Sequence, residues 1–274
     1  TYYDNYFVYY GTGSGFKYIS PAIFTTSRPH NDKTGDFNGD GADDFFAYYT
    51  TKSGTSADYE LFYSTYSGGT LKAFALNRNS RLATSDNWGR VEVHDFNGDG
   101  IADIMNLHDN GYNIYRTTGS YLVKDAQNFS FPQKKHKINF GDFNGDGKTD
   151  MLLTGFDNIE WTEWQTRLST GLSFDVTYFQ RKFLISSKQI FVCDLNGDGK
   201  DDFYAVDYAP AASTMPAVKC YLGYDNGRNF QEYSGANMYG LDKWIIQPID
   251  SRGDGRHGFI ASSCLFYPSY AADE

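Results

Sequence analysis

The sequence is poor in cysteine, in glutamate, in basic clusters and in long apolar runs, and these shortages exclude several classes of protein. Three cysteines in 274 residues are too few, and odd in number, for a disulfide framework. No apolar run approaches the roughly 18 residues that a membrane-spanning helix needs, so we expect no membrane span. The formal charge is −10 and no basic patch offsets it, so nucleic acid is not an expected partner.

Aspartate and aromatic residues are abundant instead. Of the 34 acidic residues, 28 are Asp and six are Glu, and Asp favours turns and metal-binding loops over helices. Aromatic residues make up 18% of the chain, which is typical of half-buried strands. Hydrophobic residues reach 40%, which is enough to form a packed core, so a disordered chain is excluded.

One short motif repeats along the chain and holds many of the Asp residues. Asp-(Phe or Leu)-Asn-Gly-Asp-Gly, with a further Asp at position 9, forms loop 1 (36–44), loop 2 (95–103), loop 3 (142–150) and loop 4 (194–202). A degenerate loop 5 occupies residues 250–258. The first Asp residues of successive loops are 59, 47, 52 and 56 residues apart, and such periods are typical of solenoids, propellers and arrays.

A fainter repeat, Gly-x-x-(Phe or Leu), lies between the Asp loops and reveals how the ends of the chain relate. Its five copies begin at Gly13, Gly68, Gly119, Gly171 and Gly227. The first copy precedes loop 1 and none follows loop 5, so the two terminal half-units complete each other. The chain is therefore a circular permutation of five whole units, whose periods together account for all 274 residues.

The runs that flank these motifs are short, apolar or alternating, and bounded by Gly, Asn and Asp, so they are predicted to be strands. Four strands in each unit of about 55 residues, repeated radially, predict a β-propeller. We therefore expect an all-β, five-bladed propeller of four-stranded blades that forms a single domain over residues 1–274. N- and C-terminal strands latch the ring in one shared blade, built from about 250–274 plus 1–30.

The Asp loops are predicted calcium sites. Asp at position 1, Asn at 3, Asp at 5 and Gly at 6 form the opening of an oxygen-ligand calcium loop. An EF-hand is excluded because position 12 lacks Glu and strands replace the flanking helices. The position-9 Asp closes the shell instead, together with the backbone carbonyl of position 7. A tight hairpin turn without metal is the alternative, and four copies with three mutually repelling carboxylates each make it the weaker one.

We predict about four Ca²⁺ ions, one in each complete loop. Loop 5, from Asp250 to Gly258, is predicted to be empty, because Gly258 replaces the position-9 Asp and Arg252 or Arg256 can supply the cationic charge. The predicted metal ligands are Asp36, Asn38, Asp40, Ala42 and Asp44; Asp95, Asn97, Asp99, Ile101 and Asp103; Asp142, Asn144, Asp146, Lys148 and Asp150; and Asp194, Asn196, Asp198, Lys200 and Asp202.

The Asp-Phe-Asn-Gly-Asp-Gly-x-x-Asp pattern resembles the FG-GAP, or VCBS-type, repeats of integrin α-chain propellers, of propeller lectins, and of propeller modules in secreted toxins and polysaccharide-active proteins. The resemblance extends over the whole chain. The best-known relatives close with seven blades, so five blades depart from the pattern. The resemblance implies bound calcium and a secreted, extracellular setting. A chain that begins at Thr rather than Met is also typical of a processed or trimmed protein.

A ligand is expected at the end of the sheets opposite the Asp loops, near the central channel. Residues six or seven positions before each loop lie there, and so do the connections between second and third strands. The candidate ligand-binding residues are His30, Trp88, Asp109, His136, Asp157, Lys188, Asp207 and Trp244. Aromatic planes beside carboxylates suit a sugar. Alternatively, Trp88 and Trp244 pack between blades as core residues.

Three functions remain open at this point. We expect a secreted, calcium-stabilised, carbohydrate-binding module that is lectin-like, non-catalytic and bound to a glycan or glycoconjugate. A protein partner is the second possibility, in an adhesion or toxin-assembly module. A polysaccharide-active enzyme, a glycosidase or lyase, is the third, because Asp109, Asp157 and Asp207 recur in equivalent connections. Cys193, Cys220 and Cys264 lie in strand-like runs and are predicted to be buried free thiols.

Overall fold

The computed structural model describes residues 4–18, 24–26, 31–50, 57–67, 70–82, 90–108, 111–119, 121–126, 136–155, 163–175, 179–181, 189–207, 217–233 and 244–263. The regular structure of these residues is entirely β, in 22 strands, which confirms the all-β prediction. Within these ranges, no helix is long and apolar enough to cross a membrane.

The described residues form two compact units, which we describe one at a time. The first unit comprises Thr1–Lys134 with Thr170–Ser173, and the second comprises Lys135–Ser169 with Phe174–Glu274. The prediction of a single domain over residues 1–274 stays a prediction.

The first unit contains two small and two large antiparallel sheets. The small sheets pair β1 (Asp4–Tyr6) with β4 (Phe24–Thr26), and β2 (Tyr9–Gly11) with β3 (Phe16–Tyr18). One large sheet contains β5 (Asn31–Gly35), β6 (Asp44–Thr50), β7 (Ala57–Ser67) and β8 (Thr70–Leu82). The other contains β9 (Arg90–His94), β10 (Asp103–His108), β11 (Gly111–Thr117) and β12 (Leu122–Ala126).

The second unit repeats the same architecture. One four-stranded sheet contains β13 (His136–Gly141), β14 (Asp150–Gly155), β15 (Glu163–Arg167) and β16 (Phe179–Arg181). The next contains β17 (Gln189–Cys193), β18 (Asp202–Asp207), β19 (Ala217–Tyr224) and β20 (Asn229–Tyr233). A two-stranded sheet pairs β21 (Trp244–Ile249) with β22 (Gly258–Ser263).

Each four-stranded sheet is an up-and-down meander in which neighbours in sequence are neighbours in space. Loops 1 to 4 each connect the first strand to the second, and the Gly-x-x-(Phe or Leu) repeat lies between the third and fourth strands, as predicted. Among the described residues, the strands assigned to a fifth blade form separate two-stranded sheets. The latch therefore stays a prediction. The pairing of β1 with β4 was not predicted.

The core lies where one face of each large sheet packs on the next sheet of its unit. In the first unit Phe46 and Leu61 pack with Ile104 and Tyr115, and in the second unit Trp164 packs with Phe203 and Tyr221. The position-2 aromatic side chains of loops 1, 2 and 3 are fully buried, so each of these loops is tied to the core. These side chains are Phe37, Phe96 and Phe143.

The cysteines of the described residues are free thiols. Cys193 is buried and Cys220 is half-buried, and both pack in one apolar cluster with Tyr204, Val206 and Val218. Burial raises the pKa of the Cys193 thiol to about 12, so it is a protonated core residue and not a nucleophile. Cys264 lies outside the described residues.

Candidate metal centre

The position-1 Asp organises each loop by accepting hydrogen bonds from the backbone that follows it. In loop 1, the Gly39 N–H donates to Asp36 Oδ1 at 2.7 Å and the Gly41 N–H donates to Asp36 Oδ2 at 2.7 Å. Gly39 and Gly41 have φ values of 77° and 84°, a left-handed conformation that favours glycine and turns their N–H groups inward. The same two bonds recur in loops 2, 3, 4 and 5.

The position-3 and position-5 side chains lie together at the exposed rim of each complete loop. In loop 1 the Asn38 amide nitrogen donates to Asp40 Oδ2 at 3.1 Å, while Asn38 Oδ1 accepts the Asp40 N–H at 2.8 Å. The other Asp40 oxygen accepts the Ala42 N–H at 2.9 Å. Loops 2, 3 and 4 repeat this arrangement.

The position-9 Asp is buried and ties its loop to the third strand of the same sheet or, in loop 3, to the residues just after that strand. Asp44 Oδ2 accepts the Phe37 N–H at 3.0 Å, and Asp44 Oδ1 accepts the Ser64 N–H at 2.9 Å. Asp150 and Asp202 are held in the same way from both sides, and Asp103 accepts the N–H of Thr117. These four carboxylates are at most 1% exposed.

Burial perturbs the position-9 carboxyl groups strongly. Desolvation raises the pKa of Asp103 and of Asp150 to about 7, although backbone hydrogen bonds to each carboxylate oppose the rise. The pKa values of Asp44 and Asp202 rise to about 6 for the same reason. The negative charges of position 5 in the same loop add to each shift. A nearby cation would therefore favour the ionised form of these groups.

The donor set of each complete loop fits an oxygen-ligated cation. Asp36, Asn38 and Asp40 have oxygens that accept fewer hydrogen bonds than their lone pairs allow, and the loop offers no nitrogen or sulfur ligand. Among the described residues, however, no group of three or more His, Cys, Asp or Glu side chains is placed so that it could hold a metal ion. The calcium sites therefore stay a prediction.

Loop 5 keeps the backbone of the other loops and the Asp residues of positions 1 and 5, but it lacks the position-3 Asn and the position-9 Asp. Hydrogen bonds from the N–H groups of Gly255, Gly253 and Arg252 hold the pKa of Asp250 below its usual value. Position 9 is Gly258, so loop 5 lacks the buried carboxylate. The side chains of Arg252 and Arg256 are exposed. The prediction that loop 5 binds no ion stays a prediction.

Successive loops within each unit are joined by a hydrogen bond that the sequence did not predict. The N–H of position 8 donates to the position-1 carbonyl of the preceding loop, from Ala102 to Asp36 at 2.7 Å and from Asp201 to Asp142 at 2.8 Å. His257 donates in the same way to Asp194 at 2.8 Å. The sequence gives one indication that successive loops lie this close, which is the glycine immediately before loops 1 and 3. A Cβ on Gly141 would lie only 2.6 Å from Val192.

The candidate ligand-binding residues are described only in part. His30, Trp88, Asp109, Asp157 and Lys188 lie outside the described residues. The backbones of three others are placed: β13 begins at His136, β18 ends at Asp207 and β21 begins at Trp244. Each of these backbone positions is at the end of its sheet away from the Asp loop, and nothing is described of the three side chains, so the ligand site stays a prediction.

Comparison with known families identifies the repeat. The sequence model of the FG-GAP-like repeat family matches residues 36–106 and 95–153, which together contain loops 1, 2 and 3. The chain therefore contains FG-GAP-like repeats, as the motif predicted.

Two solved structures share the fold. A propeller lectin from Agrocybe aegerita, whose structure shows recognition of non-reducing terminal N-acetylglucosamine, superposes with a TM-score of 0.59 at 18% identity. That match covers 86% of this chain and 61% of the lectin chain. A chain of the Tc holotoxin pore of Photorhabdus luminescens superposes with a TM-score of 0.56 at 18% identity, over 91% of this chain and 11% of the toxin chain. At this identity the likenesses show the fold alone, which is of the β-propeller type.

One curated relative has a higher sequence identity to this chain than the two solved structures have, but it matches over a shorter region. A T-cell immunomodulatory protein homolog from Plasmodium falciparum is 29% identical over 140 residues, which cover 43% of this chain and 20% of the relative. The chain thus spans about a fifth of that protein and about three fifths of the lectin chain.

Proposed function

We propose that the chain is a secreted, calcium-stabilised propeller module that binds carbohydrate without catalysing a reaction on it. The observation that carries this proposal is the likeness to the lectin over 86% of the chain, at the level of fold. The repeated loops support the calcium part, because each complete loop presents oxygen donors and a buried carboxylate in one conserved backbone arrangement.

We propose that the propeller has five blades. Four complete four-stranded sheets support four of them. The β21–β22 and β2–β3 hairpins together supply the four strands that a fifth blade needs, one pair from each end of the chain. In this arrangement the two hairpins share one blade and latch the ring, and β21 begins that blade at Trp244, before the predicted bounds of about 250–274 plus 1–30.

Calcium stabilises the fold in this proposal by neutralising the loop carboxylates. Positions 1, 3 and 5 would hold the ion with side-chain oxygens, position 7 with its carbonyl, and position 9 with the buried carboxylate. Burial of four uncompensated carboxyl groups is unfavourable, as their raised pKa values indicate, and a bound cation offsets that cost. Extracellular calcium modules bind at about 10⁻⁴ to 10⁻³ M, so sites of this kind would be occupied at the calcium levels outside cells, where we propose that the protein acts.

The proposed glycan site lies at the ends of the sheets away from the Asp loops. It contains His30, Trp88, His136, Lys188 and Trp244 from the approach to the first strands, with Asp109, Asp157 and Asp207 from the second connections. Aromatic rings would stack on the apolar face of a sugar, and carboxylates would accept hydrogen bonds from its hydroxyl groups. By likeness to the lectin, terminal N-acetylglucosamine is the first sugar to test.

A glycan array probed with the purified chain in millimolar calcium tests the proposal. We expect signals confined to a class of glycans, with loss of the signal when free N-acetylglucosamine or the matching monosaccharide is added. A Trp244→Ala variant should lose the signal, and a Lys17→Ala variant, changed in the exposed β3 strand, should keep it. A silent array with correctly folded protein would overturn the lectin assignment. Cleavage of the arrayed glycans would overturn the non-catalytic assignment.

A protein-binding module is the second candidate, and one observation favours it. The toxin-pore chain shares the fold over 91% of this chain, and the match covers 11% of the toxin chain. In that case the face proposed for glycan would instead contact a protein surface. Stable co-purification with a defined protein, together with a silent glycan array, would favour this candidate over the lectin.

A further inference from the structure

The complete loops differ in the charge of position 7, immediately after the second glycine. In the first unit this residue is Ala42 in loop 1 and Ile101 in loop 2. In the second unit it is Lys148 in loop 3 and Lys200 in loop 4, and loop 5 has Arg256. The loops of the first unit therefore carry apolar residues at this position and those of the second unit carry basic ones.

In loop 3 the basic side chain lies on a predicted metal ligand. Lys148 Nζ is 3.0 Å from Asp146 Oδ2, and both side chains are partly exposed. The same Asp146 oxygen accepts the amide N–H of Asn144 at 3.2 Å. The Lys148 ammonium group is thus paired with the position-5 carboxylate that would bind a metal ion. The ammonium group must move away before that carboxylate can bind the ion.

In loop 4 the basic group comes from the next loop. A Cβ added to Gly197 would lie 2.9 Å from Arg256 Cγ and 3.5 Å from Arg256 Nε, so the guanidinium side chain covers this loop. In the first unit, the side chain that covers loop 1 in the same way is the apolar Ile101. A Cβ on Gly39 of loop 1 would lie 3.2 Å from Ile101 Cγ1. The position-7 side chain therefore packs on the fourth residue of the preceding loop, and its charge differs between the units.

We propose that the four loops form two classes of calcium site, with loops 1 and 2 tight and loops 3 and 4 weak. This inference rests on the proposed calcium binding. A divalent ion in loop 3 displaces the Lys148 ammonium from Asp146, and an ion in loop 4 is repelled by the Arg256 guanidinium. Partly exposed charge pairs contribute about 0.2–1 kcal/mol, which corresponds to about a 1.5- to 5-fold change in affinity for each loop.

Isothermal titration of the metal-free full chain with calcium tests this inference. We expect two classes of site in the wild-type protein. Lys148→Met and Arg256→Met, which keep an apolar stem and remove the charge, should tighten the weak class by about 1.5- to 5-fold and leave the tight class unchanged. Lys17→Met makes the same charge change in the exposed β3 strand and should alter neither class.

A reciprocal variant tests the tight class. Ala42→Lys places an ammonium group at position 7 of loop 1 and should weaken one tight site by a similar factor, with less effect in higher salt. Far-ultraviolet circular dichroism before each titration checks that the variants are folded. Calcium binding in a single class that neither Lys148→Met nor Arg256→Met alters would overturn this inference alone. An absence of calcium binding in the folded wild-type protein would overturn the calcium proposal on which it rests.

Discussion

Asp142 and Asp201 hold each other through two hydrogen bonds that join loop 3 to loop 4. The Asp201 N–H donates to the Asp142 carbonyl oxygen at 2.8 Å, and the Asp142 N–H donates to Asp201 Oδ2 at 2.8 Å. Asp201 is the position-8 residue of loop 4, so the pair connects neighbouring sheets of the second unit at the first residue of a predicted metal loop. We expect this pair to stabilise the protein whether or not an ion is bound.

Replacement of Asp201 by Ala should destabilise the protein with or without calcium. The Asp142 N–H would lose a charged acceptor, which costs about 1.5–3 kcal/mol when the group is buried and less at this half-buried site. We expect a lower urea midpoint. Asp201→Asn, which keeps an oxygen acceptor, should recover much of the loss. Asp43→Ala, at the same position of loop 1 but exposed, is the matched control. Equal midpoints for the Asp201→Ala and Asp43→Ala variants would refute a structural role for the pair.

Mutations at position 9 and at position 5 of loop 2 should change the free energy of unfolding by different amounts. Asp103→Ala removes a fully buried acceptor from the Thr117 N–H and should lower the free energy of unfolding by about 1–3 kcal/mol even in chelator. Asp99→Ala changes an exposed residue and should cost about 0.5 kcal/mol or less in chelator, with a larger loss only when calcium is present. Denaturant titrations of both variants in chelator and in calcium make the comparison. Equal losses in chelator would contradict the structural role of Asp103.

The metal-free protein should become less stable as the pH rises from about 5 to about 8. The pKa values of Asp103 and Asp150 are about 7 in the folded chain, against 3.8 ordinarily. Between those values the folded state binds protons that the unfolded state has lost, so the free energy of unfolding falls as pH increases. Melting temperatures of protein freed of metal on a chelating resin measure this. Calcium should reduce the fall, and so should Asp103→Asn. A melting temperature that rises over this range would show that these carboxyl groups are not buried as described.

Two glycines in equivalent hairpins offer a matched test of how closely the hairpin between β19 and β20 approaches loop 3. Gly227 has φ 75°, and a Cβ there would lie 2.5 Å from the Phe143 carbonyl oxygen. Gly13 has φ 80° but no atom within 4 Å of its added Cβ. Gly13→Ala should cost about 1–2 kcal/mol for the backbone conformation alone, and Gly227→Ala should cost more because backbone must also shift. Similar losses of stability in chemical denaturation would contradict the close approach.

The sequence predicted the connectivity of the sheets because local chemistry determines it. The Asp-x-Asn-Gly-Asp-Gly motif specifies a turn through its glycines and its position-1 carboxylate, and alternating apolar runs on either side specify strands. The buried position-2 residues follow from the same pattern, since Phe37 and Phe143 stand between polar neighbours. The motif occurs four times, so the interpretation of any one copy is supported by the other three.

The contacts that join separate parts of the chain could not be predicted from the sequence. The position-9 Asp was interpreted as a metal ligand only, but Asp44 also accepts the N–H of Ser64, which lies 20 residues further along. The backbone hydrogen bond from Asp201 to Asp142 links residues 59 apart, and its only trace in the sequence is the glycine that precedes the loop. The same limit applies to the cover of loop 4 by Arg256, whose side chain was interpreted as a replacement cation within its own loop.

Thermal unfolding of the wild-type chain against free calcium concentration tests the central claim most directly. Four sites occupied at about ten times their dissociation constant would stabilise the folded state by about 5–6 kcal/mol. The account predicts a melting temperature that rises with calcium, levels off in the millimolar range and returns to its starting value when chelator is added. A melting temperature that is the same in chelator and in 10 mM calcium would contradict it.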